Sequence, residues 1–230
     1  MLLVWGFALV VGKRLSLPRS RLGVWLMGTM VMNLAFIYPF VSAAWGSEAL
    51  ARLAMFDFGN GLLTLTLVYG LACWYGDDRS NAVRNAFKGV ASFPPFWALL
   101  VAFALNLSGM PMPDDALDAV LNLGQLILFL VPFSLGLYFK LNGMPWRLLG
   151  VGIVLRSGVG LMLGLVWVVL FELEGLNRMV VLMACAAPVG FNTLVFAVRQ
   201  KLDAEFAASL ASLSVLLGMI YTPLMIFYLA

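Results

Sequence analysis

Two stretches of this chain place helix breakers and amides where an apolar segment can least accommodate them. MVVLMACAAPVGFNTLVFAVRQK, residues 179–201, carries Pro188, Gly190 and Asn192 at its centre and its charges, Arg199 and Lys201, only at its end. VMNLAFIYPFVSA, residues 31–43, carries Asn33 and then Tyr38-Pro39. Proline has no N–H and clashes with the carbonyl four residues back, so a helix is expected to open at each place. Freed backbone groups and amides at such a break can bind a polar solute. A third stretch, FDFGNGLLT at 56–64, sets Asp57 and Asn60 three apart, on one face of a helix. Arg156 is the other charge set deep in an apolar run. Asp57 and Arg156 read either as side chains reaching an interface or as markers of a polar pathway.

The rest of the composition removes most catalytic chemistry. Histidine is absent, so the usual general base and metal ligand are missing. Cys73 and Cys185 share no metal-ligand or CxxC spacing and read as buried thiols. With no pair of carboxylates inside the spans, enzyme activity is not expected, and neither a metal site nor a cofactor is implied.

The elements that position these residues belong to a membrane. The chain has 230 residues, of which 63% are hydrophobic and 11% charged. A soluble domain has about 45–50% apolar and about 25% charged residues, and could not cover this much apolar surface. The net charge of +3 is spread over short loops, so nucleic acid is not an expected partner. Runs of about 20 apolar residues fall at 1–12, 22–46, 50–75, 89–108, 117–139, 147–171, 178–199 and 206–229, giving eight predicted transmembrane helices in an all-α integral membrane fold. The first spans only about 18 Å, short of a hydrocarbon core of about 30 Å, and reads as the end of a longer helix.

Loop charge gives the orientation. Of the 14 basic residues, Lys13, Arg14, Arg19, Arg21, Arg79, Arg84, Lys88, Lys140, Arg147, Arg199 and Lys201 lie in one alternate set of connections. The other set holds Arg52 and Arg178 beside Glu48, Asp114, Asp115, Asp118, Glu172 and Glu174. The positive-inside rule makes the first set cytoplasmic and puts both termini outside the cell membrane, the inner membrane of a bacterial cell. On that orientation the break at 33–39 lies on a helix running outward and the break at 187–192 on one running inward. Segments one to three and six to eight are then inverted trios, each with a broken middle member. Paired interruptions of this kind point to a midplane transporter site with half-helix N-termini turned toward it, a field suited to a carboxylate. Gly160 and Gly164 form a GxxxG suited to close helix packing.

APVGFNTLVFAVRQKLDAEFAASLASLSVLLGMIYTPLMIFYLA resembles the carboxyl-terminal signature of the auxin efflux carrier family, whose bacterial members include malate and malonate carriers. Pro188, Val189, Gly190 and Asn192 match that family's second crossover, with Ala187 where methionine is usual; FALNLSGMPMP, LNLG and LGLYFK resemble its middle. The first crossover departs from the pattern: NLAFIYPF lacks the family's glycines. The resemblance implies a bile-acid/sodium symporter-like fold of ten helices in two inverted repeats, of which this sequence supplies the last eight, three plus five. On that plan residues 1–88 are first-repeat core helices with a crossover at 33–39. Residues 89–146 are panel-type helices, and 147–230 are second-repeat core helices with a crossover at 187–192. It further implies a secondary carrier of a small organic anion such as a dicarboxylate, coupled to H+ or Na+. The binding residues would be Asn33, Tyr38, Pro39, Asp57, Asn60, Pro188, Val189, Gly190 and Asn192. The lipid bilayer is one partner, and a homodimer would replace the two absent panel helices. The absence of those helices also motivates a non-transporting membrane subunit as the alternative. On the orientation above, a membrane-impermeant maleimide added to intact cells should label a cysteine at Glu172 and spare one at Ser16; the reverse pattern would invert the topology.

Overall fold

The computed structural model describes residues 1–76, 82–92, 94–138 and 145–229; Arg79 and Lys140 of the basic loops lie outside these. Helix α1 (Leu2–Arg14) leads through a short turn into α2 (Arg19–Met30). After an extended step, α3 (Leu34–Leu63) turns at Gly46, where φ is 72°, and runs on through a π-helical turn (Thr64–Val68) into α4 (Tyr69–Tyr75). Helices α5 (Ala82–Ala91), α6 (Pro94–Ser108) and α7 (Asp114–Tyr138) follow. Helix α8 (Trp146–Ile153) continues through a second π-helical turn (Val154–Val159) into α9 (Gly160–Leu170). The chain closes with α10 (Gly175–Ala186), α11 (Asn192–Arg199) and α12 (Ala204–Leu229). Three helical runs, Leu34–Tyr75, Trp146–Leu170 and Ala204–Leu229, are long and apolar enough to cross a membrane. Phe96–Ser108 and Gly175–Ala186 are apolar but shorter. The protein is an all-helical, multi-pass membrane protein.

The corners sort into two ends. At one, Arg19 donates from Nε to the Tyr75 carbonyl (3.2 Å) and from Nη2 to that of Trp74. Arg21 pairs there with Asp203 (2.8 Å), and Gln200 Nε2 donates to the Tyr69 hydroxyl (2.8 Å). These contacts hold together the corners before α2, after α4 and before α12. At the other end Arg52 donates to Asn177 Oδ1 (2.6 Å) and to Glu48 (2.5 Å), tying the turn after Gly46 to the start of α10. These surface pairs contribute little energy singly. They do fix which corners share an end.

The core divides in the same way. One buried cluster gathers Trp25 and Met27 of α2, Tyr69 of α4, Phe196 of α11 and Leu210 of α12, and includes Val31 and Val189. The second gathers Ile37, Val41 and Leu53 of α3 with Val180, Met183 and Ala184 of α10. Each half of the molecule is thus built from one half of each interrupted segment, α2 with α11 and α3 with α10.

The first interruption differs in place from the expected one. The chain opens at Val31–Asn33, while Tyr38 and Pro39 lie inside α3. Asn33 caps this helix, and Pro39 in its second turn gives up the N–H bond to Ala35 without ending the helix. The second interruption follows from Pro188 directly. Ala187 before it is extended (φ −48°, ψ 145°), the conformation a following proline imposes, and α10 ends there.

The GxxxG of α9 packs its glycines on α10. A Cβ at Gly160 would sit 2.4 Å from the Cys185 carbonyl oxygen, and one at Gly164 2.8 Å from Cys185 Cβ. Because backbone cannot yield as a side-chain tip does, Gly160→Ala should lower stability by about 1–3 kcal/mol. Gly150, with nothing within 4 Å of the same position, should tolerate alanine; thermal unfolding of both variants in detergent checks the contrast.

Candidate solute site at the helix crossing

The two interruptions meet. Met32 and Val189 form an isolated antiparallel bridge. On either side of it Asn33 N donates to the Pro188 carbonyl (2.9 Å) and Gly190 N to that of Val31 (3.0 Å). Two breaks in apolar helices therefore satisfy each other's main-chain groups, which hydrocarbon could not do. The approach requires glycine: a Cβ at Gly190 would lie 2.3 Å from Val31 Cγ1 and 3.1 Å from the Met32 carbonyl oxygen. The antiparallel pairing sets the N-terminus of α3 beside the C-terminus of α10, and the start of α11 beside the end of α2. Both positive helix ends are at the crossing, each with a negative end as its neighbour.

The predicted site residues fall into three groups. Asn33, Pro188, Val189 and Gly190 form the crossing itself. Asn33 is committed as the N-cap of α3, its Oδ1 accepting from Phe36 N (3.2 Å). Tyr38, Asp57 and Asn60 form a second group on the two arms of α3. Asn60 Nδ2 donates to Asp57 Oδ1 (3.2 Å), and the Tyr38 hydroxyl interacts with the same carboxylate. Asn60 Oδ1 is buried without a partner among the described residues. Pro39 is exposed on α3 and joins neither group. Asn192, the third group, opens α11 beside Gly190, half-buried and with no side-chain hydrogen bond among the described residues. Its neighbour Thr193 is fully buried, with its hydroxyl unpartnered among the same residues.

Residues that sequence reasoning left unassigned hold the crossing in place. Successive carbonyls at the end of α10 each accept a side-chain bond: Cys185 from Arg156 Nη2 (3.3 Å), Ala186 from the Tyr221 hydroxyl (2.8 Å) and Ala187 from Ser157 Oγ (3.4 Å). The Tyr221 and Ser157 hydroxyl oxygens lie 3.1 Å apart, so either can donate to the other in place of its carbonyl. Val189 N donates to Ser214 Oγ on α12 (2.9 Å). Arg156 and Ser157 lie in the π-helical turn between α8 and α9, whose extra residue alters which side chains face α10. Arg156 is 1% exposed, so it does not reach an interface. A π-helical turn leaves no signature in residue type. A guanidinium ten residues into an apolar run was the one legible signal.

A cavity of about 740 Å³ adjoins the crossing. Met32 of the bridge, Phe56 beside Asp57, and Arg156, Gly160 and Cys185 all line it. Among the described residues no cluster of side chains could hold a metal ion.

Comparison with known proteins agrees with a transporter. The chain is 26% identical over 220 residues to an uncharacterized transporter of Methanothermobacter thermautotrophicus, covering 92% of this chain and 70% of that protein. It is also 26% identical over 211 residues to the uncharacterized transporter MJ1031 of Methanocaldococcus jannaschii, covering 88% of this chain and 67% of that one. No family model and no solved structure matches. Relationship along most of the chain to proteins named as transporters supports transport, in general terms, over enzyme activity.

Ser214 gives a test of how the crossing is held. Ser214→Ala leaves the buried Val189 N–H without an acceptor and should cost about 1–3 kcal/mol in thermal unfolding. The Val189 amide should also exchange faster with solvent deuterium.

Proposed function

We propose that this chain is a secondary carrier of a small organic anion, dicarboxylates included, on the plan of the auxin efflux carrier family. The observation that carries the reading is the pairing of the two helix breaks through Met32 and Val189, with Asn33 and Asn192 at the starts of the helices that leave it. Backbone opened inside a membrane is tolerated where it lines a cavity, and discontinuous helices of inverted repeats are where carriers bind their cargo. Relatives named as transporters support the same reading.

In this proposal eight spans form an inverted repeat of three plus five in the inner membrane, with both termini outside. Asn192 supplies the free amide that bonds the anion, and the positive ends of α3 and α11 favour its charge. Pro188, Val189 and Gly190 hold the backbone open, with Asn33 fixing the start of α3. Tyr38, Asp57 and Asn60 form the polar group on α3 that would shape or couple the core. Asp57 is the carboxylate that proton coupling would use; sodium coupling would draw on carbonyls and amides. A second copy of the chain supplies the surface against which the core moves.

Uptake of radiolabelled malonate or malate into proteoliposomes under a proton or sodium gradient tests the transport claim. Saturable, gradient-dependent flux is expected; binding without flux in folded protein would favour a non-transporting membrane subunit. Asn192→Ala should weaken anion binding about tenfold, the equivalent of one hydrogen bond of about 1.4 kcal/mol, with membrane insertion unchanged. Unchanged affinity would remove Asn192 from the site.

A further inference from the structure

Among the described residues, Arg156 is a buried cation without a counter-ion. Both ion pairs among the described residues are elsewhere, Arg21 with Asp203 and Arg52 with Glu48. The Arg156 guanidinium makes one hydrogen bond, to the Cys185 carbonyl, and its Nε has no partner among the described residues. The negative end of α10 offsets only part of a full charge. Removing an ion from water without a matched partner costs several kcal/mol, and charged groups kept within spans ordinarily pair or face a pathway.

Arg156 is one of the residues that line the cavity of about 740 Å³. The charged groups of the wall are Arg156 and the Met1 α-amino group, and the remaining side chains are apolar, glycine or Cys185. Its volume falls in the range that holds one drug-sized ligand, about 300–1,000 Å³. Leu63, Trp167 and Phe171, which also line it, are exposed to the surroundings, which for this chain are lipid tails. The rest of the wall is apolar and suits an aliphatic chain.

We infer that this cavity is a binding site for a membrane-partitioned aliphatic monocarboxylate, whose carboxylate pairs with Arg156 while its chain lies along Phe56, Leu163 and Trp167. The arginine fork matches a carboxylate in shape as well as charge. The site adjoins the crossing through Met32 but does not depend on the transport reading. Its ligand enters from the bilayer and carries one charge, whereas the proposed cargo bonds Asn192.

Brominated acyl chains test it, because bromine quenches a nearby tryptophan. In protein reconstituted into lipid nanodiscs, 8-bromooctanoate should quench fluorescence saturably, with the quenched component lost in Trp167→Phe. The uncharged 8-bromooctan-1-ol should require at least tenfold higher concentration. Arg156→Gln should abolish that preference by weakening the acid alone, and Arg156→Lys should retain part of it. Equal quenching by acid and alcohol in the unaltered protein would overturn the inference, as would a folded Arg156→Gln variant with unchanged half-saturation. Should Arg156→Gln fail to fold, the comparison of acid with alcohol and the Arg156→Lys variant still decide the matter. Malonate flux with no acid preference would remove this site and leave the carrier reading intact. Acid preference without flux would do the reverse.

Discussion

The structure depends on two main-chain hydrogen bonds in its buried interior, Asn33 to Pro188 and Gly190 to Val31. Each closes a gap that the other's helix break creates. Without them, the residues between α2 and α3 and between α10 and α11 would leave donors and acceptors unmatched in a low-dielectric interior, at a cost of several kcal/mol per group. The bridge explains why the core is divided as it is. Once the two segments cross, α3 must pack on α10 and α2 must lie with α11, so the apolar side chains sort into two clusters on either side of Met32 and Val189. It also explains Gly190, since a side chain there would displace Val31.

A crossing made of only two hydrogen bonds needs support, and it comes from the second half of the chain. Arg156, Ser157 and Tyr221 bond three consecutive carbonyls at the end of α10, and Ser214 accepts from Val189. The first break has a smaller set of side chains around it: Asn33 caps α3, and Thr29 bonds back to carbonyls of its own helix. The two halves of the crossing are therefore unequal. The second is fixed through side chains of the π-helical turn before α9 and of α12, while the first is held largely by its pairing with the second.

How far this was legible in the sequence depended on whether a residue type forces one backbone outcome. Pro188 does, and the end of α10 follows from it. Pro39 does not, because a proline early in a helix removes a single bond and can remain helical. The break before α3 instead falls at Val31–Asn33, where the signal was the capping capacity of Asn33. Apolar runs located most of the helices but not α5, which lies mostly in a stretch read as a polar loop, and the i, i+3 spacing of Asp57 and Asn60 anticipated their hydrogen bond. Pairing between Met32 and Val189 is a contact 157 residues apart, and no local pattern encodes it. The π-helical turn that aims Arg156 and Ser157 at α10 is likewise set by packing rather than by composition.

Hydrogen-bonding capacity already in use separates the candidate site residues from one another. Asn33 has given its acceptor to Phe36, so it acts on the crossing chiefly as a cap. Asn60 has one donor on Asp57, which leaves that carboxylate partly satisfied by its own helix and by Tyr38. Pro188 and Gly190 have backbone groups engaged in the bridge. Uncommitted donors next to the crossing, among the described residues, are on Asn33 Nδ2, the Thr193 hydroxyl, the Asn192 amide and the Arg156 guanidinium, and of these Asn192 and Arg156 are the two proposed to bind a ligand. A polar solute in an apolar interior binds where the protein's own polar groups are not already matched, since exchanging one internal bond for another yields little net stabilisation. By that criterion the two residues divide the chemistry by position. Asn192 sits where the paired breaks open the backbone, and Arg156 where an apolar cavity meets the negative end of α10.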